Sequence, residues 1–374
     1  MSEFSETQAW ISGLRGEVDQ FMGKLQIPGQ TGRYRPCLKG TTVVGEKAAL
    51  GFSCFALKIV YTLGLWDTLP QSEKQAWLDF IRSYQILDSS TPYHSSFIDP
   101  HLLAGIAPLP PEGVRNLLGR WLRGEAKKNP VVNAIKAETK QAIATLAQVD
   151  ATPTIPFFQF PHQKRDLLKK LESLPWTTPW SAGAQTAILS VFYRSQGPLL
   201  KKLDHLMLMA QTSRFLEGVV DKESGSYFRG KRPPRGQLIN GAMKVLNALD
   251  WLEVPVHYPE KLIDTCLEQG PPAAGCHVVD WIYVVHRCLL QTNHRRAEIQ
   301  TQCLQIARMI RTHQNADGGF SYQPGKAQHV YYGASISKGL NEGDIHGTCL
   351  LTWALSMVIE IVEFDQPDWQ VIRP

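Results

Sequence analysis

Apolar helical segments in this chain come in two kinds, and the two alternate. In "AEIQTQCLQIARMIRTHQ", Ile299, Cys303, Ile306 and Ile310 recur at helical spacing, while Gln300, Arg308 and Arg311 fall on the other side. That pattern predicts a helix with one wet face. The next helical segment, "DIHGTCLLTWALSMVIEIV", is apolar nearly all round from Thr348 to Val358. Such a helix is buried on most sides. An amphipathic helix followed by an all-round apolar one is an outer–inner pair.

The pairing recurs. "KKLDHLMLMAQTSRFL" leads through "DKESGSYFRG" to "LINGAMKVLNALDWL". "PEKLIDTCLEQ" leads through "GPPAAG" to "CHVVDWIYVVHRCLL". "KRDLLKKLESL" leads through "PWTTPW" to "SAGAQTAILSVFY". Upstream, "SEKQAWLDFIRSYQ" has a less clear partner, and "EKAALGFSCFALKIVYTLGL" reads as another inner helix. Strand signals are weak throughout, so the chain reads as all-α. Stacked helical hairpins bury together what one cannot bury alone. They stack either as an open superhelix or as a closed double ring. Open solenoids usually keep a regular period. Here the loops are uneven and the inner helices are the more apolar. The expectation is an α/α toroid of about six hairpins around a central cavity, as one domain over 1–374. The hairpins are clearest over 165–360. The proline-rich stretches at 105–113 and 151–161 read as breaks in the ring or a lid.

Composition excludes several classes. Forty-three per cent of the residues are hydrophobic and 20% charged, so a large core can form. The net charge of +5 is scattered in pairs such as Lys127–Lys128 and Arg295–Arg296. That suits a solvated surface better than a nucleic-acid site. The cysteines Cys37, Cys54, Cys266, Cys276, Cys288, Cys303 and Cys349 are odd in number and form no CxxC. Reduced thiols and a cytoplasmic location are expected. The N-terminal segment is not a secretory signal, and no stretch of about 18 uninterrupted apolar residues predicts a membrane span. Peripheral membrane contact stays compatible with the pattern.

The turn "QNADGGF" (Gln314–Phe320) has a physical reading of its own. Glycines permit positive φ after a helix end. Gln314 and Asp317 can bond backbone groups of the neighbouring hairpin, and Phe320 and Tyr322 can pack between helices. The turn also resembles the glutamine–aspartate–glycine–glycine–aromatic repeat of squalene–hopene-type terpenoid cyclases, and the "GGF" of protein prenyltransferase β subunits. "ESGSYFRG" (Glu223–Gly230) looks like a degenerate copy, and "DIHGTCLLTWAL" is similar to inner helices of that superfamily. The resemblance implies an α/α toroid with a central apolar cavity. Two departures matter. The Asp-x-Asp-Asp motif of alkene-protonating cyclases is absent, and so is Asp-Asp-x-x-Asp. The zinc ligands of prenyltransferases find no match in "GCHVVD" or "DIHGTC", where order and spacing differ.

Chemistry is therefore sought at the leading ends of the inner helices. Asp344 reads either as an N-cap or as an acid. Asp280 lies inside the apolar "HVVDWIYVV", where an unpaired carboxylate is costly or takes up a proton. It reads either as a partner of Arg287 or His346, or as a neutral acid able to donate a proton. His277 and His346 open successive inner helices and can complete an acid–base pair. No cofactor is expected, although His277, Asp280, Asp344 and His346 are donors that zinc or iron would use. Asn240, Trp180, Trp281, Tyr283, Tyr332 and Lys338 are the expected substrate contacts. The aromatic residues among them would steady a carbocation.

Three functions compete. The first is a terpenoid-cyclase-like enzyme acting on a hydrophobic, isoprenoid small molecule by acid-initiated carbocation chemistry. The second is a carbohydrate hydrolase or lyase on the same ring. The third is a non-catalytic lipid- or peptide-binding toroid.

Overall fold

The computed structural model describes residues 3–106, 129–268, 270–271 and 276–374. Most of the first proline-rich stretch, 107–113, lies outside them. The described helices are α1 (Glu3–Leu25), α2 (Val43–Lys47), α3 (Leu50–Thr62), α4 (Gln71–Arg82), α5 (Pro100–Ala104), α6 (Pro130–Gln148) and α7 (Lys164–Glu172). They continue with α8 (Pro179–Gln196), α9 (His205–Glu217), α10 (Arg235–Leu252), α11 (Pro259–Leu267), α12 (Cys276–Leu289), α13 (Arg296–Arg311) and α14 (Ile345–Val362). The one described sheet is a two-stranded hairpin, β1 (Val330–Tyr331) with β2 (Ala334–Ser335).

Six of these helices form a closed circuit. α3 packs on α6, α6 on α8, α8 on α10, α10 on α12, α12 on α14, and α14 back on α3. These are the apolar runs. Twelve of the 13 residues of α3 and 15 of the 18 of α14 are buried. The outer helices are α1, α4, α7, α9, α11 and α13, and they bury one stripe each. In α7 that stripe is Leu167 and Leu171. The molecule is an α/α toroid of six outer and six inner helices among the described residues. α14 is long and apolar enough to cross a membrane, but 83% of it is buried as inner wall. α6 is the inner helix whose sequence gave no clear signal. Its face alternates alanines with Glu138, Thr139 and Lys140 rather than presenting an unbroken apolar surface.

Two glycines bring α8 and α10 together. A Cβ on Gly183 would stand 2.9 Å from the Lys244 Cβ, and one on Gly241 would stand 2.6 Å from the Pro179 Cβ. Without side chains there, the two backbones can approach closely.

The glycine turns close the ring. The turn between α9 and α10 has Gly225 at φ +70°, where a Cβ would meet the α11 backbone at Leu262 N, 2.7 Å away. The turn between α13 and α14 has Gly318 at φ +95°, 2.6 Å by the same measure from the Glu17 carbonyl of α1. Each turn thus grips the next outer helix, and the last grips the first. Trp10 Nε1 donates to Gln314 Oε1 at 2.8 Å, and Gln314 Nε2 donates to Glu17. Asp317 accepts from the backbone of Gly319 and Gly343, and Phe320 is fully buried. The sequence predicts bonds to backbone of the neighbouring hairpin, but neither residue makes them: Gln314 binds side chains of α1, and Asp317 binds backbone within its own hairpin. The motif is a staple.

The C-terminal segment crosses the trailing ends of the inner helices. Gln370 N donates to the Thr62 carbonyl, Arg373 N to Gln148 Oε1, and Trp251 Nε1 to the Pro374 carbonyl. Beneath it, Asp250 takes Tyr283 OH at 3.0 Å and Arg287 at 3.2 Å. The first three bonds tie the C-terminal segment across this end of the ring.

Candidate active site

Near the leading ends of the inner helices several large side chains keep accessible surface. Trp180 at the start of α8 is 46% exposed. Tyr332 is 42% exposed, yet burial raises its phenol pKa, as expected in a recess. It abuts Tyr331, whose ring centre lies 4.4 Å away. His346 stacks between Phe55, at 4.5 Å, and Tyr322, at 5.4 Å. Burial, followed by the charge of Lys58, lowers the His346 pKa to about 3, so the ring is neutral at pH 7. Its Nδ1 has no hydrogen-bond partner.

Asp280 sits one turn into α12 and is 6% exposed. It accepts no hydrogen bond from any described residue. Burial raises its pKa, opposed by the charges of Lys244 and His277. Those two residues are therefore its neighbours. Arg287 is not, because it pairs with Asp250 instead. Asn240 Nδ2 donates to His277 Nδ1 at 2.6 Å, which fixes the imidazole at the mouth. Lys244 stands 5.8 Å from the centre of the Trp180 ring. Asp280, His277, Asn240, Lys244 and Trp180 thus form one connected group on α8, α10 and α12.

Asp344 does not join that group. It caps α14, accepting from Gly347 N at 2.7 Å, Tyr322 N at 2.7 Å and Gln328 N at 3.0 Å. Burial lifts its pKa to about 6, and the backbone donors pull the other way. With both oxygens engaged, it builds the loop before α14 rather than facing substrate. Trp281 is fully buried and donates to the Cys266 carbonyl on α11, so it points into the outer layer. Tyr283 is spent on Asp250. Lys338 is exposed on the surface loop, held there by its backbone bond to Gly40. Among the described residues no three His, Cys, Asp or Glu side chains converge as a metal set.

Three interior residues escaped the sequence reading. Glu138 on α6 is 1% exposed, accepts from Tyr331 OH at 2.9 Å, and has its second oxygen unpartnered. Burial pushes its pKa up to about 8, so it is mostly protonated at pH 7. Lys140, also on α6, has its pKa held well below the lysine range by burial and by Lys58 and Lys244. Lys58 on α3 is 6% exposed, and burial lowers its pKa too. A signal for Lys58 was available: it is the one charged residue between Leu50 and Thr62.

A concavity of about 300 Å³ lies between α6 and α8, under the second proline-rich stretch. Val132, Ile135, Ile188, Leu189, Phe157 and Phe160 line it, with Tyr93, Lys136 and Lys170 as its titratable groups. It offers no acid.

The chain matches no protein-family model and no curated protein. Solved structures of similar shape include a glycoside hydrolase family 76 α-mannanase from Bacteroides thetaiotaomicron. It is 11% identical, with 96% of each chain covered and a TM-score of 0.44. A type II terpene cyclase from Scytonema, in complex with geranylgeranyl dihydroxybenzoate, is 14% identical over 97% of this chain and 99% of that one, with a TM-score of 0.43. At such distances these are likenesses of shape, and the toroid assignment rests on the helix circuit described above.

Proposed function

We propose that the ring interior is the active site of a terpenoid-cyclase-like enzyme, in which Asp280 protonates a double bond or epoxide of a largely apolar, isoprenoid substrate. The observation that supports this reading is the state of Asp280. It is a carboxyl on an apolar helix wall, hydrogen-bonded by no described residue, with burial favouring its protonated form. A carboxylic acid kept neutral can give its proton to a π bond. The proton passes to one alkene carbon, the π electrons form the new C–H bond, and the other carbon becomes cationic. The carboxylate left behind gains the nearby charges of Lys244 and His277. The exposed rings of Trp180 and Tyr332 can offer a face to the cation.

A carbohydrate enzyme would need two carboxylates roughly 5–10 Å apart. The neighbours of Asp280 are a lysine and a histidine, and Glu138 lies on α6, across the ring from α12. That arrangement favours proton donation by a single acid.

The test is incubation of the purified chain with polyprenyl substrates of varied length and head group, and with manno-oligosaccharides, followed by mass spectrometry of products. Cyclised product is expected, with Asp280→Asn lowering turnover about 10²–10⁴-fold, the usual worth of a general acid. Full turnover in Asp280→Asn, or sugar cleavage in place of cyclisation, would overturn the reading.

A further inference from the structure

The concavity between α6 and α8 takes no part in the chemistry proposed for Asp280 and shares no residue with the Asp280 group. Two inner helices supply one side of it. On α6 the contributing face runs from Val132 to Thr139, and on α8 it runs from Gln185 to Phe192. The outer helix α7 adds Lys170, and the segments 92–96 and 157–161 complete the wall. The hollow therefore lies between the two layers of the ring.

Its size and lining are the first observation. At about 300 Å³ it reaches the lower end of the range that holds a small organic ligand, and close-packed interiors rarely keep such space. The wall is mostly aliphatic and aromatic. Phe157 and Phe192 lie 4.6 Å apart between ring centres, and Phe160 stacks on Phe192 at 5.7 Å, so the three rings brace one another.

Its charge is the second. Lys136 and Lys170 are both exposed and stand at the rim, and no aspartate or glutamate is among the described residues that line the hollow. Lys170 donates to the neutral Gln185 at 2.9 Å. Lys136 makes no hydrogen bond or ion pair with any described residue. Thr139 and Gln159 are already spent, Thr139 on the Phe97 backbone and Gln159 on the carbonyls of Pro92 and His94. Burial lowers the Lys170 pKa, and the charge of Lys136 lowers it further, as befits two ammonium groups without a counter-charge.

We propose that this hollow binds a medium-length aliphatic ligand ending in one oxyanion, its chain against Phe157, Phe160, Ile188 and Leu189 and its head between Lys136 and Lys170. Ammonium groups are point charges whose donors suit a carboxylate or a phosphate monoester alike. Their stems can cover apolar wall while the charged heads stay at the water. A neutral or cationic ligand would leave both charges uncompensated, so electrostatic complementarity selects the anion. The inference does not rest on the acid role of Asp280.

Decanoate, decyl phosphate and decanol are the probes, titrated into the full chain by calorimetry at matched ionic strength, with thermal melting alongside. Saturable binding of decanoate or decyl phosphate is expected, with a raised melting temperature and weaker binding of decanol. The tighter of the two anions tells a carboxylate source from a phosphate one. Lys136→Glu and Lys170→Glu should each weaken the anion about tenfold or more and leave decanol unchanged. Lys201→Met, which is exposed and outside the hollow, should leave all three unchanged. A decanoate carrying a diazirine at its chain end should label segment 157–161, α6 or α8. Four results would each overturn the proposal: no anion binding, decanol binding as tightly as the anions, unchanged affinity in both glutamate variants, or label confined to α10 and α12.

Discussion

At the start of α12 the histidine is tied down and the aspartate is loose, whereas at the start of α14 the roles are exchanged. His277 is held by Asn240, and Asp280 accepts nothing. Asp344 is held by three backbone N–H groups, and His346 keeps an orphan nitrogen between aromatic rings. Both helices lie on the same inner wall, and both begin with one acid and one imidazole. The difference comes from the loop before α14, which folds back far enough to present Tyr322 N and Gln328 N to Asp344. Residue type at a helix start therefore does not decide whether a polar side chain is engaged or left free. What decides it is whether the backbone nearby still has donors to satisfy.

The comparison makes graded predictions. Asp344→Ala should cost the most, about 3–5 kcal/mol, because it removes a cap and orphans buried N–H groups. Urea unfolding measures this, and a cost below about 1 kcal/mol would erase the contrast. Next comes Glu138→Gln. The folded pKa of Glu138, about 8, lies above the ordinary glutamate value near 4.5, so the folded state binds the extra proton between them. Its contribution to stability is full below about pH 4.5 and is lost as pH rises through 8. The urea midpoint of wild type minus that of Glu138→Gln should fall across that window.

His346→Phe should be a smaller, stabilising change of about 1 kcal/mol at pH 7, since an unpartnered nitrogen is removed. Its folded pKa of about 3 lies below the unfolded value near 6.5, so wild type loses stability from this group as pH falls from 6.5 to 3. The gain of the variant should therefore grow in acid. Asp280→Asn should move stability least, by under about 0.5 kcal/mol, while moving turnover most. A large loss of stability there would make Asp280 structural, like Asp344.

Much of the architecture was legible. The alternation of one-sided and all-round apolar helices named the outer and inner layers, and the glycine turn was readable as a staple. α6 was not legible as an inner helix. Its interior face carries Glu138 and Lys140, and polar residues on a chamber wall imitate a wet surface. The same confusion hid the site. Trp281 and Tyr283 look like Asp280 in sequence, placed within one apolar run. A helix turns about 100° per residue, so Trp281 faces the outer layer, and Tyr283, on nearly the same face as Asp280 but about one turn further along, meets Asp250 instead.

The order of apolar and amphipathic segments, a local property of hydrophobic periodicity, thus determined the all-α double layer. Only the tertiary structure decided that α14 returns to α3, that the last glycine turn grips α1, and which polar groups are left over inside. Closure and leftover charge depend on pairs far apart in sequence, such as Gln314 with Trp10, or Lys140 with Lys58 and Lys244. No local pattern encodes them, because the cost of burying a charge is set by what the rest of the ring brings beside it.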